Sequence, residues 1–241
     1  MKAMIFAAGI GSRLRPVTDT RPKALVEVGG KTMLEHSILY LKKHGFDDII
    51  INLHHFPEQI KSFLEKKKYF GIDITISDER DKLLDTGGGL KKVSWFFNDQ
   101  PFLLYNVDIL TNLDLNEFTA FHRQNNGMAT LAVRERSSSR YLLFDEAHKL
   151  IGWENTQTRE QKILEKTNLI YRRAFSGIHM INPSFFNKLP QKKTFSIIEA
   201  YLGIAKNTSI YGFTDNHSYW FDIGSLEKLE KARIFMNSKT K

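Results

Sequence analysis

Short apolar runs alternate with segments of helical periodicity through the first half of the chain. Four runs have the length and composition of buried strands. They cover residues 2–7, 49–53, 72–76 and 102–105. Because these runs are largely apolar on consecutive positions, they indicate strands of a sheet that is covered on both faces.

Helix boundary signals lie between these runs. Thr32, with a glutamate three residues later, forms a capping box for a helix that extends to about Lys43. Pro57 suits the first turn of a second helix. A third helix is predicted after the glycines at 87–89, and Asp114 caps a fourth.

This alternation predicts right-handed crossovers that build a parallel sheet. The expected fold class is therefore α/β: a three-layer α/β/α sandwich with a mostly parallel, Rossmann-like sheet. The second half is less regular and predicts a small additional β region with partly antiparallel strands. The elements expected there are strands at 130–134, 141–144, 175–181, 209–213 and 219–222, and a helix from Ser225 to about Phe235. The polar stretch 155–167 and the serines at 137–139 are expected to be mobile.

Composition narrows the function. The sequence has no cysteine, which excludes disulfides, thiolate zinc sites, iron–sulfur clusters and a cysteine nucleophile, and it favours a reducing, cytoplasmic location. The formal net charge of +8 indicates an anionic partner, which could be nucleic acid, a membrane surface or a small phosphate compound. No run approaches the roughly 18 apolar residues of a membrane helix, so no membrane partner is expected.

A glycine loop with basic residues directly follows the first strand. Its backbone, from Ala8 through Gly9 and Gly11 to Ser12, can approach a ligand closely, and its amides suit phosphate oxygens. Arg13 can bind phosphate bidentately. The loop lacks the Walker spacing, and a dinucleotide fingerprint would need a third glycine. It therefore predicts a phosphate site of another kind, and the alternative is a turn with solvated basic residues.

Two further charged residues extend this candidate site. Lys23 is a mobile point charge a few residues beyond the loop. Asp108 follows Asn106 at the carboxyl end of the fourth strand, where parallel sheets place groups that contact ligands. Asp108 is therefore placed to hold a metal, and a capping role in the loop is the structural alternative.

These segments resemble those of the sugar-1-phosphate nucleotidyltransferase family. The loop matches the family's Gly-x-Gly-x-Arg-Leu-x-Pro-x-Thr signature and is followed by Pro-Lys, and residues 220–225 resemble its Trp-x-Asp-x-Gly-Thr segment. The resemblance implies a GT-A-like fold and a single displacement, in which a sugar 1-phosphate attacks the α-phosphorus of a nucleoside triphosphate. It also implies one domain over 1–241, with a nucleotide-binding core at 1–127 and a sugar-binding part at 128–241.

The resemblance further implies roles for individual residues. Asp108 and Asp222 would hold Mg²⁺, which is the expected cofactor. The expected catalytic residues are Arg13, Lys23 and Asp108. The expected nucleotide-binding residues are Ala8, Gly9, Gly11, Ser12, Arg13, Lys23, Thr86, Gly87, Gly88 and Asn106. The expected sugar-binding residues are Asn168, Gly177 and Trp220, and a β-bulge is the structural alternative for Gly177.

Within the family, the segments 85–89 and 175–178 look most like those of N-acetylmuramate-1-phosphate uridylyltransferases. This implies UTP and N-acetylmuramate 1-phosphate as substrates, in peptidoglycan recycling. Three departures leave the substrates open: Ala24 stands for the usual proline, Val107 for the usual glycine, and a Glu-Lys-Pro segment is missing between 134 and 168. The alternatives are a guanylyl- or thymidylyltransferase acting on a hexose or heptose 1-phosphate, and a non-catalytic nucleotide-sensing module.

The expected partners are small molecules, namely a nucleoside triphosphate and a sugar 1-phosphate. Nucleic acid is not expected, because the sequence supplies neither a recognition helix nor an aromatic stacking platform. A monomer or a small homo-oligomer is expected.

Overall fold

The computed structural model describes residues 1–239, whose main-chain contacts form two compact units. The first unit comprises Met1–Leu83, Leu104–Asn112 and the described residues from Tyr219 onward. The second comprises Leu84–Leu103 and Leu113–Ser218. Each unit is therefore assembled from segments that are distant in sequence. The expected nucleotide-binding and sugar-binding parts are functional divisions, which these contacts do not test.

Strands and helices follow one another along the chain. The strands are β1 (Lys2–Phe6), β2 (Glu27–Val28), β3 (Lys31–Thr32), β4 (Asp48–Leu53), β5 (Asp73–Asp78), β6 (Phe102–Asn106), β7 (Ile109–Thr111), β8 (Ala129–Arg134), β9 (Arg140–Phe144), β10 (Leu150–Asn155), β11 (Glu160–Ile163), β12 (Tyr171–Ile181), β13 (Ile210–Thr214) and β14 (Trp220–Asp222). The α-helices are α1 (Met33–Lys43), α2 (Pro57–Lys66), α3 (Asp85–Lys92), α4 (Leu115–Asn125), α5 (Ile197–Ile204) and α6 (Leu226–Lys239).

The first unit is built on a parallel sheet. β4 pairs in parallel with β1 and with β5, and β6 lies on the other side of β1. The carboxyl ends of β1 and β4 lie at the same edge, with Phe6 opposite Asn52. Just after β6, the Val107 amide donates a hydrogen bond to the Phe6 carbonyl at 3.2 Å, which brings the end of β6 to that edge as well.

The predicted helix caps are confirmed at the residues that the sequence indicates. The Thr32 hydroxyl accepts a hydrogen bond from the Glu35 amide at 3.1 Å, at the start of α1. The Asp114 carboxylate accepts one from the Asn116 amide at 2.8 Å, at the start of α4. Each bond satisfies a backbone donor that the first helical turn leaves unpaired.

The second unit contains a sheet in which antiparallel pairing dominates. β12 pairs antiparallel with β8 and β9, and β10 pairs antiparallel with β9 and β11. β8 and β13 pair in parallel. The partly antiparallel region predicted for the second half is thus confirmed. The β8–β12 register shifts between Phe175 and His179, and within this bulge Gly177 has a φ of 81°.

Some element boundaries differ from the predictions. The third helix does not follow the glycines at 87–89, because α3 begins at Asp85 and contains them. The stretch 155–167, expected to be mobile, includes strand β11 in regular pairing with β10. β10 and α5 were not predicted from the apolar pattern.

One buried cluster holds the first unit together around the edge of its sheet. Its fully or almost fully buried members are Leu14, Val26, Val28, Met33, Leu110, Ile223, Leu229 and Ala232. They come from the loop after β1, the β2 segment, α1, β7, the end of β14 and α6. Burial of such side chains stabilises by about 1.5–3 kcal/mol each.

No helix within residues 1–239 is both long enough and apolar enough to cross a bilayer.

Candidate phosphate and metal site

The loop after β1 has two glycines with different local requirements. Gly11 has a φ of 71°, and a Cβ atom added there would lie 3.0 Å from Thr18 Cγ2 and 3.2 Å from Lys23 Cβ. A Cβ atom on Gly9 would meet nothing within 4 Å. Gly11 is therefore needed for the turn itself, whereas Gly9 leaves open space beside the main chain, as a loop that admits a phosphate would.

A buried polar pair supports this loop. Asn52 Oδ1 accepts a hydrogen bond from the Ala7 amide at 2.9 Å, and Asn52 Nδ2 donates to Glu79 Oε1 at 2.9 Å. Both side chains are buried. The hydrogen bond from Ala7 to Asn52 fixes the residue that immediately precedes Ala8. Neither Asn52 nor Glu79 could be predicted from the sequence, because a single asparagine at a strand end carries no spacing signal.

Arg13 lies in a short 3₁₀ turn, Ser12–Leu14, whose last residue is fully buried in the cluster described above. Leu14 thereby anchors the turn, and Arg13 itself is exposed. The Arg13 Nη2 atom lies 3.2 Å from the position that a Cβ atom would take on Gly224. The guanidinium is therefore close to the segment that carries Asp222.

Lys23 and Asp108 form an ion pair. The Lys23 ammonium donates a hydrogen bond to Asp108 Oδ2, and the two side chains are only 12% and 24% exposed. Lys23 begins another short 3₁₀ turn, Lys23–Leu25, and Asp108 lies between β6 and β7. This pair joins the segment after the glycine loop to the carboxyl end of β6, as the sequence analysis predicted for a shared site.

β14 brings the second carboxylate beside the first. It pairs antiparallel with β7, with Asp222 opposite Ile109, and the Ile223 amide donates to the Asp108 carbonyl at 3.0 Å. Asp108 and Asp222 are therefore neighbours across two short strands, although they are distant along the chain. Only this strand pairing, which the sequence did not predict, makes them adjacent.

Asp222 is held through both of its carboxylate oxygens. Oδ1 accepts a hydrogen bond from the Gly224 amide at 2.6 Å, and Oδ2 accepts one from the Lys228 ammonium at 2.5 Å. Burial raises the pKa of this carboxyl, but the hydrogen bond and charge of Lys228, the Gly224 amide and the charge of Lys23 outweigh burial, so the pKa lies below its ordinary value. Asp222 is therefore ionised at neutral pH.

The other residues predicted for the site divide between the two units. Ala8, Gly9, Ser12, Asn106 and Trp220 belong to the first unit, with Arg13, Lys23, Asp108 and Asp222. Thr86, Gly87, Gly88, Asn168 and Gly177 belong to the second. The structure thus brings the charged residues together within one unit. The binding and catalytic roles assigned to the residues of both groups stay predictions.

The glycines of α3 are explained by close packing inside the second unit. A Cβ atom on Gly88 would lie 2.2 Å from the Lys193 carbonyl oxygen, and one on Gly87 would lie 2.4 Å from the Phe195 ring. The Gly87 amide donates to the Phe195 carbonyl at 2.9 Å, and Thr86 Oγ1 accepts from the Ile197 amide at 2.9 Å. At these glycines the protein's own 193–195 segment approaches α3 closely.

The donor set at Asp108 and Asp222 suits a hard divalent cation. Two carboxylates from neighbouring strands are few for a protein-caged ion, and residues 1–239 contain no cluster of three or more His, Cys, Asp or Glu side chains that could hold a metal. Mg²⁺ is commonly bound by one or two carboxylates, with water and substrate phosphates as its other ligands. The residues therefore fit Mg²⁺ that arrives with a phosphate compound.

Known proteins resemble this chain along its whole described length. The sequence model of the nucleotidyl transferase family matches residues 2–239. The chain is 32% identical over 247 residues to a mannose-1-phosphate guanyltransferase of Neurospora crassa, covering 100% of this chain and 66% of that protein. It is 28% identical over 242 residues to a UTP–glucose-1-phosphate uridylyltransferase of Synechocystis, covering 94% of this chain and 61% of that protein. The chain thus spans less than two thirds of the length of these relatives.

The fold also has close counterparts among solved structures. A protein from Bacillus anthracis, assigned as a glucose-1-phosphate thymidylyltransferase, superimposes with a TM-score of 0.82 at 21% sequence identity, over 98% of this chain and 95% of that one. At this identity the likeness concerns the fold. It confirms the predicted α/β class, with a mostly parallel central sheet and flanking helices.

Proposed function

Because the chain belongs to the nucleotidyl transferase family, we propose that it joins a nucleoside triphosphate to a sugar 1-phosphate and releases pyrophosphate. The observation that carries this proposal is the meeting of Arg13, Lys23, Asp108 and Asp222 in one unit, beside the glycine loop. A protein that only sensed nucleotides would need the cations that bind phosphate. It would have less need of two adjacent carboxylates at the same place.

The proposed reaction needs charge stabilisation more than proton transfer. An oxygen of the sugar phosphate attacks the α-phosphorus and forms a new P–O bond, while the bond from the α-phosphorus to the bridging oxygen breaks and its electron pair leaves with pyrophosphate. The attacking oxygen is already ionised at neutral pH, so no general base is required. The obstacle is repulsion, since two unit charges about 4 Å apart repel by about 4 kcal/mol at an effective dielectric constant of about 20.

The basic residues of the site would offset this repulsion. Arg13 is exposed at the loop, where its guanidinium can bind two phosphate oxygens at once. Lys23, held by Asp108 beside the glycine loop, would place a positive charge near the phosphate whose bonds change. Both residues would stabilise the charge that accumulates on the departing pyrophosphate.

Asp108 and Asp222 would hold Mg²⁺ in this proposal. The ion, when bound, supplies positive charge that stabilises the triphosphate and the leaving group. The chain's own contribution is to hold both carboxylates in place, through the Lys23 ammonium on Asp108 and the Gly224 amide on Asp222.

For the substrates, we propose UTP and N-acetylmuramate 1-phosphate, in peptidoglycan recycling in the cytoplasm. The composition of segments 85–89 and 175–178 supports this choice. The similarity to a mannose-1-phosphate guanyltransferase favours a second candidate, in which GTP reacts with a hexose 1-phosphate.

Pyrophosphate release by the purified chain tests the proposal. Each of UTP, GTP, dTTP, CTP and ATP is combined with N-acetylmuramate, N-acetylglucosamine, glucose and mannose 1-phosphates in the presence of Mg²⁺. We expect release with UTP and N-acetylmuramate 1-phosphate, and loss of release in Asp108→Asn. Release with GTP and mannose 1-phosphate instead would select the second candidate, and no release with any pair would refute the transferase proposal.

A further inference from the structure

Lys228 binds the Asp222 carboxylate, which would hold the divalent ion in the proposed function. Its Nζ atom lies 2.5 Å from Asp222 Oδ2, while the Gly224 amide binds Oδ1. The Lys228 side chain is 46% exposed and Asp222 only 20%, so the ammonium reaches in from solvent to a largely buried carboxylate. An ion that binds Asp222 through Oδ2 must displace this ammonium or share the oxygen with it.

The position of Lys228 in α6 gives an independent argument. Ser225 Oγ accepts a hydrogen bond from the Lys228 amide at 3.4 Å, so Lys228 stands where a capping box usually has glutamate or glutamine. The amino-terminal end of a helix carries partial positive charge, which disfavours a lysine in the first turn. Helix stability therefore does not account for a lysine here, whereas its contact with Asp222 does.

The charges at the site also indicate that a divalent ion binds weakly in the absence of nucleotide. Lys23 pairs with Asp108 as Lys228 pairs with Asp222, and Arg13 lies close to Gly224. While both lysines are bound to the carboxylates, their two positive charges offset the two negative charges. A free dication is therefore attracted only weakly. A nucleotide changes this balance, because its phosphates offer oxygen ligands to the ion and other acceptors to the lysines.

We propose that Lys228 competes with the divalent ion for Asp222 and so makes metal binding depend on bound nucleotide. Lys228 is a positioning residue in this account: it acts through Asp222, and the account rests on Asp222 as a metal ligand in the proposed function. By thermodynamic linkage, whatever factor the nucleotide adds to metal affinity, the metal adds to nucleotide affinity. The metal ion and the triphosphate would then bind to the site together.

Mn²⁺ binding to the full chain, followed by the electron paramagnetic resonance signal of free Mn²⁺, tests this proposal directly. Titrations are made without nucleotide and with α,β-methylene UTP or GTP, for the wild type, Lys228→Met, Lys228→Arg and Lys231→Met. Lys231 is the matched control, because it lies on the same helix and pairs with Glu227 rather than with Asp222. Circular dichroism verifies that each variant is folded.

We expect Lys228→Met to lower the Kd for Mn²⁺ about twofold to fivefold without nucleotide, the range that loss of a partly exposed ion pair predicts. The gain in metal affinity on adding nucleotide should shrink by a similar factor. Lys228→Arg keeps the charge and should behave like the wild type, as should Lys231→Met. An unchanged or weaker affinity in Lys228→Met overturns the proposal.

Asp222→Asn distinguishes failure of this inference from failure of the metal site itself. If Asp222→Asn weakens Mn²⁺ binding and Lys228→Met has no effect, only the role of Lys228 is wrong. If Asp222→Asn binds Mn²⁺ like the wild type both with and without nucleotide, Asp222 is not a ligand. The metal site in the proposed function then fails, and the role of Lys228 fails with it.

Discussion

Lys23 contacts both the glycine loop and the carboxylate of Asp108. Its Cβ atom lies beside Gly11, and its ammonium binds Asp108. Loss of the side chain removes a charge offered to phosphate and also the partner of Asp108. We therefore expect Lys23→Ala to lower kcat/KM for pyrophosphate release about 10²- to 10³-fold. The exposed Lys43 on α1 provides the control, since Lys43→Ala should leave kcat/KM unchanged; a Lys23→Ala enzyme as active as that control would contradict the role.

His122 should make stability depend on pH. Its side chain is buried, with Nδ1 2.8 Å from Thr130 Oγ1, and burial lowers its pKa to about 4, below the ordinary value near 6.5. The folded state therefore favours the neutral ring. This contribution to the free energy of unfolding is complete above pH 6.5 and is lost as the pH falls towards 4, by about 1.4 kcal/mol per pH unit.

Urea unfolding at pH 7 and pH 5 measures this effect. The wild type should lose about 2 kcal/mol more than His122→Gln between the two pH values, because the glutamine does not titrate. Equal losses in both proteins would show that protonation of His122 does not couple to folding.

The sequence predicts individual residues where they lie in a motif beside a strand end. Arg13, Lys23 and Asp108 were identified in this way and Asp222 through the family resemblance, and the structure places all four in one unit. Lys228 was not identified, because a single lysine on a helix surface has no characteristic spacing. Its importance depends on the pairing of β14 with β7, a long-range contact that local sequence does not encode.

The choice of residues in helix α3 is restricted by the segment that packs against it. Its interior glycines cost about 1 kcal/mol each relative to alanine, yet a Cβ atom on Gly88 would lie 2.2 Å from the Lys193 carbonyl. We expect Gly88→Ala to lower the free energy of unfolding by about 1–3 kcal/mol through overpacking. Gly203 in α5 is the matched control, because a Cβ atom there meets nothing within 4 Å.

Gly203→Ala should leave stability unchanged or raise it by up to about 1 kcal/mol, since alanine has the higher helix propensity. Thermal and urea unfolding of both variants give the comparison. If Gly88→Ala were as stable as Gly203→Ala, close packing of the 193–195 segment would not be the reason for the glycine.

Local end signals led to the prediction of some elements only, since α5 was missed although Ser196 Oγ accepts a hydrogen bond from the Ile198 amide at 3.2 Å at its start. α1 and α4 begin at the capping residues that the sequence indicates. The glycines at 87–89 lie inside α3 rather than before it, and the 193–195 segment packs closely against Gly87 and Gly88. β11 is mostly polar and is exposed along its length, so no apolar pattern predicts a strand there. It is a strand because β10 pairs with it.

For the molecule as a whole, ligand binding should be visible as stability. A ligand that binds only the folded chain adds about 2.7 kcal/mol at a concentration of 100 Kd, which for a chain of this size corresponds to a rise in Tm of about 5–10 °C. We expect that rise with Mg²⁺ and the preferred nucleoside triphosphate, measured by differential scanning fluorimetry.

The same rise should shrink when EDTA removes the metal, and it should be lost in Arg13→Ala. Chelation should also abolish pyrophosphate release, and added Mg²⁺ should restore it. Full activity in EDTA would contradict a metal-assisted reaction, and an unchanged Tm with every nucleotide would contradict nucleotide binding.

The fold class could be predicted from sequence because alternating strands and helices have few compatible topologies. The grouping of β1, β7 and β14 into one unit could not, because it joins three segments that are distant from one another in sequence.

The pairing of β14 with β7 also determines when the site can form during translation. A ribosome delivers the glycine loop and Asp108 well before Asp222 and its strand. Until then β7 lacks its antiparallel neighbour, and the hydrophobic cluster lacks Ile223 and Leu229. A nascent chain therefore carries one carboxylate of the pair and an open patch of core until the segment with β14 and α6 has emerged.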